Sequence, residues 1–247
     1  LSDNRADIAA CCGEDCLLIE PGSGSSEKVR LFLDALRPQA YVPVDISASY
    51  LRDAAAALGV EYPWLAVHAV CADFNASWSF LDDLPRKNRV VFYPGSTLGN
   101  LEPTAAGEFL AVLRGLIGDE GGVLIGLDTH KDEAILNAAY NDSAGVTAAF
   151  NLNLLHRLNS LVGADFDASR FRHDAFYNQA LRRIEMHLVS LDAQRVALAD
   201  GEISFGAGET IHTESSYKYT DEGFAELAQG AGLRVTRSWH DKAGLFG

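Results

Sequence analysis

The chain has 247 residues, 48% of them apolar, enough for one large α/β domain or a domain carrying a substantial insertion. A formal charge of −14 argues against nucleic-acid binding, which needs Lys and Arg massed against phosphate. No apolar run reaches the roughly 18 residues of a membrane span, and the opening "LSDNRADIAACC" lacks the basic start and apolar stretch of a signal peptide.

The expectation is therefore a cytoplasmic, monomeric protein that handles a small molecule, with no nucleic-acid or membrane partner. Cys11, Cys12, Cys16 and Cys71 form no CxxC and read as reduced thiols. His68, His130, His156, His173 and His212 carry no spacing that compels a metal site, so no metal is expected.

In chain order, short apolar runs at 16–20, 41–45, 67–72, 89–93 and 123–127 predict strands. Segments 25–37, 47–59 and 103–118 between them have helical spacing, with Ser47 and Thr104 as N-caps at two of the starts. Strands alternating with helices imply an α/β fold with a doubly wound, mostly parallel sheet. After Asp128 the rhythm changes. Residues 131–159 read as helix, "RRIEMHLVSLDAQRVAL" and "IHTESSYKYT" alternate like strands, and a helix (221–231) and strand (233–239) close the chain. This divides the chain into a core over 1–129, an inserted or appended α+β region over 130–217, and a segment over 218–247 that completes the core.

The stretch "IEPGSGSSEK" places a GxG, Gly22 and Gly24, at a strand–helix junction, where glycines permit tight turning and close ligand approach. Read alone, such a GxG is as well explained by a structural turn. The third glycine of a dinucleotide fingerprint is replaced by Glu27, and no P-loop is present. Two acids add weight. Asp45 ends the second predicted strand, where a carboxylate accepts ribose hydroxyls. Asp73 follows the third, beside Phe74, an acid and an aromatic suited to an adenine ring. Glu20, just before the glycines, would repel a pyrophosphate and suit a sulfonium. This arrangement over residues 16–128 resembles the class I S-adenosylmethionine-dependent methyltransferases.

Four further motifs, "PGSTLGN", "YNDSAGVTAAFN", "RRIEM" and "TESSYKY", resemble those of the histidine-specific Nα-methyltransferases that begin ergothioneine synthesis. That resemblance implies a Rossmann-like core and trimethylation of the α-amino group of L-histidine to hercynine, with S-adenosylmethionine as cofactor. It further implies that Gly22 and Lys28 contact the cofactor's methionine portion, Asp45 its ribose, and Asp73 with Phe74 its adenine. Catalytic roles fall to Asn100, which holds the substrate's α-amino group, and Tyr140, which binds its carboxylate. Glu214 and Ser216 grip the imidazole, and Met186 lines that pocket. The resemblance also implies a region ahead of the first strand that supplies a pocket tyrosine, and a last strand beyond "DKAGLFG". The residue types suit the chemistry. An amide accepts from an amine without fixing it as a cation, and a carboxylate accepts from an imidazole N–H.

Without the resemblance each residue has a plainer meaning: Asn100 a turn residue, Tyr140 and Met186 packing, Glu214 an exposed strand acid. Competing functions are a methyltransferase of the same family acting on tryptophan or a derivative, and a non-catalytic S-adenosylmethionine-binding module.

Overall fold

A computed structural model describes residues 1–86 and 88–247. The chain divides into two compact units, one of Leu1–Thr97, Pro103–Leu127 and Asp221–Gly247, the other of Leu98–Glu102 and Asp128–Thr220.

The first unit begins with α1 (Arg5–Cys12) and β1 (Leu17–Pro21), every residue of β1 being buried. There follow α2 (Glu27–Arg30), α3 (Leu33–Leu36), β2 (Ala40–Asp45), α4 (Ala48–Glu61), β3 (Ala66–Val67), β4 (Val70–Cys71), β5 (Arg89–Tyr93), α5 (Pro103–Ile117) and β6 (Gly122–Ile125). The strands form one parallel sheet in the order β3-β2-β1-β5-β6, with β4 also on β2. This is the doubly wound α/β order in which the chain reverses direction beside β1, and the crevice for ligands lies beyond the strands' carboxyl ends. Burial on both faces explains why β1 and β5 read as continuous apolar runs rather than alternating ones.

Several sequence expectations are corrected. The single helix over 25–37 is two short ones, because Phe32 leaves helical geometry (φ −138°) and packs its ring against Phe92, 5.0 Å away. The strand over 67–72 is interrupted at residues 68–69. The β2 residues opposite this gap are Val42 and Pro43, and Pro43 has no N–H for a ladder bond. Thr104 is not an N-cap: α5 starts one residue earlier at Pro103, a residue whose fixed φ suits a first helical position.

The second unit carries α6 (Glu133–Tyr140), α7 (Val146–Val162), β7 (Phe171–Asn178), β8 (Arg183–Ser190), β9 (Gln194–Leu198), β10 (Gly201–Phe205) and β11 (Thr210–Tyr217). The helix expected over 131–159 is thus split. Residues 141–145 break it, and the Asp142 carboxylate restarts it by accepting from the amides of Val146 (2.9 Å) and Thr147 (2.8 Å). An antiparallel sheet of order β11-β8-β7 packs through Ala175, Tyr177, Ile184 and Met186 on Leu136 of α6, with Tyr140 at the edge. A second core joins Leu155 of α7 to Phe166, Phe171, Leu188, Val196 and Phe205. Neither β7 nor β10 was expected from the sequence.

The chain then returns to the first unit as α8 (Asp221–Gly230). No strand forms over 233–239, contrary to the alternation there. Trp239 instead donates to Asp7 (2.8 Å), while Leu127 exchanges backbone hydrogen bonds with Gly247 (2.7 and 3.0 Å).

Candidate functional site

In the first unit, the β1–α2 loop turns through Gly22 (φ +67°) and Gly24 (φ +52°), both in the left-handed region that side chains avoid. The Gly22 amide donates to Val44 O (2.8 Å) and the Gly24 amide to Asp45 Oδ2 (3.1 Å), so the loop is held against the end of β2. The other Asp45 oxygen receives the Ser47 amide (2.9 Å). A Cβ at Gly22 would lie 3.7 Å from Phe74 Cε1. The structure therefore brings Gly22, Asp45 and Phe74 together. Phe74 also joins an aromatic group with Trp78, Tyr93 and Phe109, at centroid distances of 6.1–6.4 Å. Asp73 is exposed, its carboxylate turned back on the Asn75 amide (2.9 Å). Lys28 is exposed at α2 and reaches Gly95 after β5, where a Cβ would fall 2.6 Å from Nζ.

Glu20 behaves differently from its sequence reading. Its carboxyl is 2% exposed, is bonded by the Tyr41 hydroxyl, and does not open to a ligand. Burial pushes it up to about 7, against the opposing effects of the Tyr41 hydrogen bond and the Lys28 charge. Burial also pushes the thiols of Cys12 and Cys16 up, to about 11 and 12, which leaves little thiolate at neutral pH.

In the second unit, β11 places Glu214, Ser216 and the following Lys218 at two-residue spacing, hence on one side of the strand. A register shift between His212 and Glu214 sets Glu214 opposite Met186. Burial raises the Glu214 carboxyl, against the pull of the Lys218 charge. Tyr140, the last residue of α6, donates its hydroxyl proton to Ser216 Oγ (2.9 Å). Thus Tyr140, Met186, Glu214 and Ser216, 76 residues apart at the extremes, meet within one unit. Asn100 is exposed in the short turn before α5, in the segment that belongs with this unit.

Two residues here escaped sequence reasoning. The Lys218 side chain has no exposed surface and its Nζ bonds Ser216 Oγ (2.8 Å), Tyr140 Oη (2.9 Å) and Asp128 Oδ2 (2.8 Å). The signal was present in the two-residue spacing of "ESSYK", since a Lys sharing the inward side with Glu214 needs a buried anion. Asp128, three residues after the last residue of β6, supplies it.

Glu185, His187 and His212 bring potential metal-ligand atoms within 4.8 Å of one another, a juxtaposition no sequence spacing announces. The two imidazoles are stacked, 4.7 Å apart and 11° from parallel, so their in-plane lone pairs run alongside each other rather than converge. Glu185 is already bound by Arg183 (2.9 Å) and Asn178 (3.0 Å). A separate open cleft of about 700 Å³, lined by His130, Lys131, Glu133, Tyr177 and Arg182 among others, contains none of the sequence-nominated residues.

Residues 1–247 match the family described as "Histidine-specific methyltransferase, SAM-dependent" along their whole length. The histidine N-alpha-methyltransferase of Mycolicibacterium smegmatis is 45% identical over 254 aligned positions, covering all of this chain and 78% of that protein. The chain belongs to the histidine-specific methyltransferase family. The histidine N-alpha-methyltransferase of Mycobacterium tuberculosis is 42% identical to this chain with the same coverage. Among solved structures, the CcbJ methyltransferase of Streptomyces caelestis superposes with a TM-score of 0.56 at 14% identity, over 100% of this chain and 87% of that one. At that identity the likeness establishes the methyltransferase fold alone.

The family's dependence on S-adenosylmethionine agrees with the first unit. A positive-φ glycine loop held by Asp45 and facing Phe74 is the kind of bare backbone that a ligand can approach closely. Among the described residues no helix is long and apolar enough to cross a membrane.

Proposed function

We propose that this chain is an S-adenosylmethionine-dependent L-histidine Nα-methyltransferase that adds three methyl groups to the α-amino nitrogen, giving hercynine for ergothioneine synthesis. The observation that carries this reading is the 45% identity to a histidine N-alpha-methyltransferase over the full chain. The meeting of Tyr140, Met186, Glu214 and Ser216 supports it. A monomer in the cytoplasm is the corresponding setting.

Gly22 and Lys28 hold the cofactor's methionine portion, Asp45 its ribose, and Asp73 with Phe74 its adenine. The bound cofactor supplies an electrophilic methyl group on a sulfonium. The chain's residues must then present a neutral amine lone pair and keep it aligned, so positioning rather than covalent help dominates. Asn100 takes the α-amino group: its amide oxygen accepts an N–H without favouring the ammonium as a carboxylate would. Glu214 accepts from a ring N–H, Ser216 serves the other ring nitrogen, Met186 forms the apolar wall, and Tyr140 binds the substrate's carboxylate. None of the residues assigned here serves as a base for the ammonium proton, and water is assigned that task.

Titration calorimetry tests the division of labour. Asp45→Ala abolishes cofactor binding and leaves the fold intact. Glu214→Gln weakens histidine binding about 10- to 100-fold, the worth of a charge-assisted hydrogen bond, without affecting the cofactor. Unchanged histidine affinity in the Glu214 variant contradicts the assignment.

A further inference from the structure

Building on the proposed function, we propose that Thr213 and His212 are positioning residues that lock a one-residue bulge in β11, and that this bulge decides which side chains of the strand meet the substrate's ring. In an antiparallel pair, residues directly opposite one another point to the same face. Ile184, Met186 and Leu188 of β8 point to the side of α6 and α7, where they join the two apolar cores of this unit. Glu185 and His187, between them, point to the other side. Ile211 lies opposite Leu188 and packs on the same core, so at this end of β11 the odd-numbered positions face the helices. His212, opposite His187, faces away.

Two residues later the parity has reversed. Glu214 lies opposite Met186 and Ser216 opposite Ile184, so here the even-numbered positions face the helices. From His212 to Glu214 β11 advances two residues while β8 advances one, and Thr213 is the extra residue. With Thr213 paired to Met186 in regular register, Thr213 and Ser215 would face the helices instead. Glu214 would then stand opposite Glu185 on the far side, carboxylate against carboxylate. The row assigned to the imidazole therefore exists because of one inserted residue.

Two hydrogen bonds hold the bulge, and each has one possible sense because its acceptor is a carbonyl oxygen. The Thr213 hydroxyl donates across the strands to Met186 O (2.9 Å). His212 Nε2–H donates along β11 to Glu214 O (3.1 Å), closing the bulge from its outer side, with Ser215 Oγ 3.2 Å from the same nitrogen. The His212 ring is itself held by stacking. It lies on His187 at 4.7 Å and 11°, and His187 lies on Phe176 of β7 at 5.3 Å and 17°. Glu185 Oε2 is 3.2 Å from His187 Nε2, and Arg183 and Asn178 hold Glu185 in turn. The stack thus reaches across all three strands, on the face opposite the Glu214 and Ser216 side chains. Thr213 and His212 act on a bound ring only through the backbone that carries Glu214.

The test is titration calorimetry of the full chain, first with S-adenosylhomocysteine and then with histidine added to that complex. Thr213→Val keeps the shape of the side chain, removes the donor and leaves Met186 O without it. It lowers histidine affinity about 10-fold, the low end of what a charge-assisted hydrogen bond is worth, and leaves S-adenosylhomocysteine affinity unchanged. His212→Leu, which removes the second lock, shows the same selective loss. Thr213→Ser retains the hydroxyl and restores histidine affinity. In the Glu214→Gln background Thr213→Val costs little more, because the carboxylate that the bulge aims is already gone, so the two losses do not multiply. Losses that do multiply mark a merely structural role and overturn the inference, as does a Thr213→Val variant whose affinities for histidine and S-adenosylhomocysteine fall together. Thr213→Val binding histidine as the wild type does, or Thr213→Ser binding it as weakly as Thr213→Val, also overturns it. Wild-type protein that binds S-adenosylhomocysteine but no histidine overturns the functional reading on which the inference rests, a result seen before any variant is compared.

Discussion

Glu20 shows how a residue can be conspicuous in a sequence for the wrong reason. Beside a glycine loop it reads as a ligand-facing charge, yet its carboxyl is packed against Tyr41 and raised to about 7 by burial. A carboxyl raised in the folded state favours folding while it is protonated. Its contribution is fully present below about 4.5 and is lost as pH rises through 7. A shift of that size corresponds to roughly 3 kcal/mol. Denaturant titrations should show Glu20→Gln gaining stability relative to wild type between pH 5 and 8, with the two nearly equal at pH 4. A constant difference across that range would mean that Glu20 does not titrate in the fold. The meeting of Gly22, Asp45 and Phe74 was legible because strand ends and glycines have a local signature. Lys218 was legible only as a hint in its spacing from Glu214: its partners, the Asp128 carboxylate 90 positions earlier and the Tyr140 hydroxyl at the end of α6, are not displayed by a linear pattern.

At the level of elements, apolar periodicity located most of the strands and helices of the first unit, since buried parallel strands and amphipathic helices both write themselves into composition. It failed where a single residue overrides the pattern. Phe32 splits one helix by turning its ring into the core, Pro43 interrupts the ladder at residues 68–69, and Asp142 restarts a helix the periodicity treated as continuous. The strand β7 was missed because "FRHDAFYN" mixes charge into a run that is only partly buried. Where periodicity did hold, it carries weight. Ala106, Leu110, Leu113 and Ile117 form the buried stripe of α5, and Leu110 has no exposed surface. Leu110→Ala should cost about 2–5 kcal/mol in denaturant unfolding. Val112→Ala, on the 46% exposed side of the same helix, should cost well under that. Equal losses at the two positions would contradict the packing described for α5.

Across the whole molecule, substrate choice is the property least available to composition or fold. A charge of −14 and a parallel sheet exclude much and specify little. The proposed specificity rests on the second unit, where Glu214 lies opposite Met186 and Ser216 is bonded to Tyr140. In the proposed reading a carboxylate at Glu214 and a hydroxyl at Ser216 suit an imidazole with two ring nitrogens better than an indole with one. The most direct measurement is to incubate the chain with S-adenosylmethionine and, separately, histidine, tryptophan and each other amino acid, and to read the products by mass spectrometry. The account predicts mass gains of one, two and three methyl groups on histidine alone. Methylation of tryptophan in its place, or cofactor binding with no amino acid gaining mass, would contradict it.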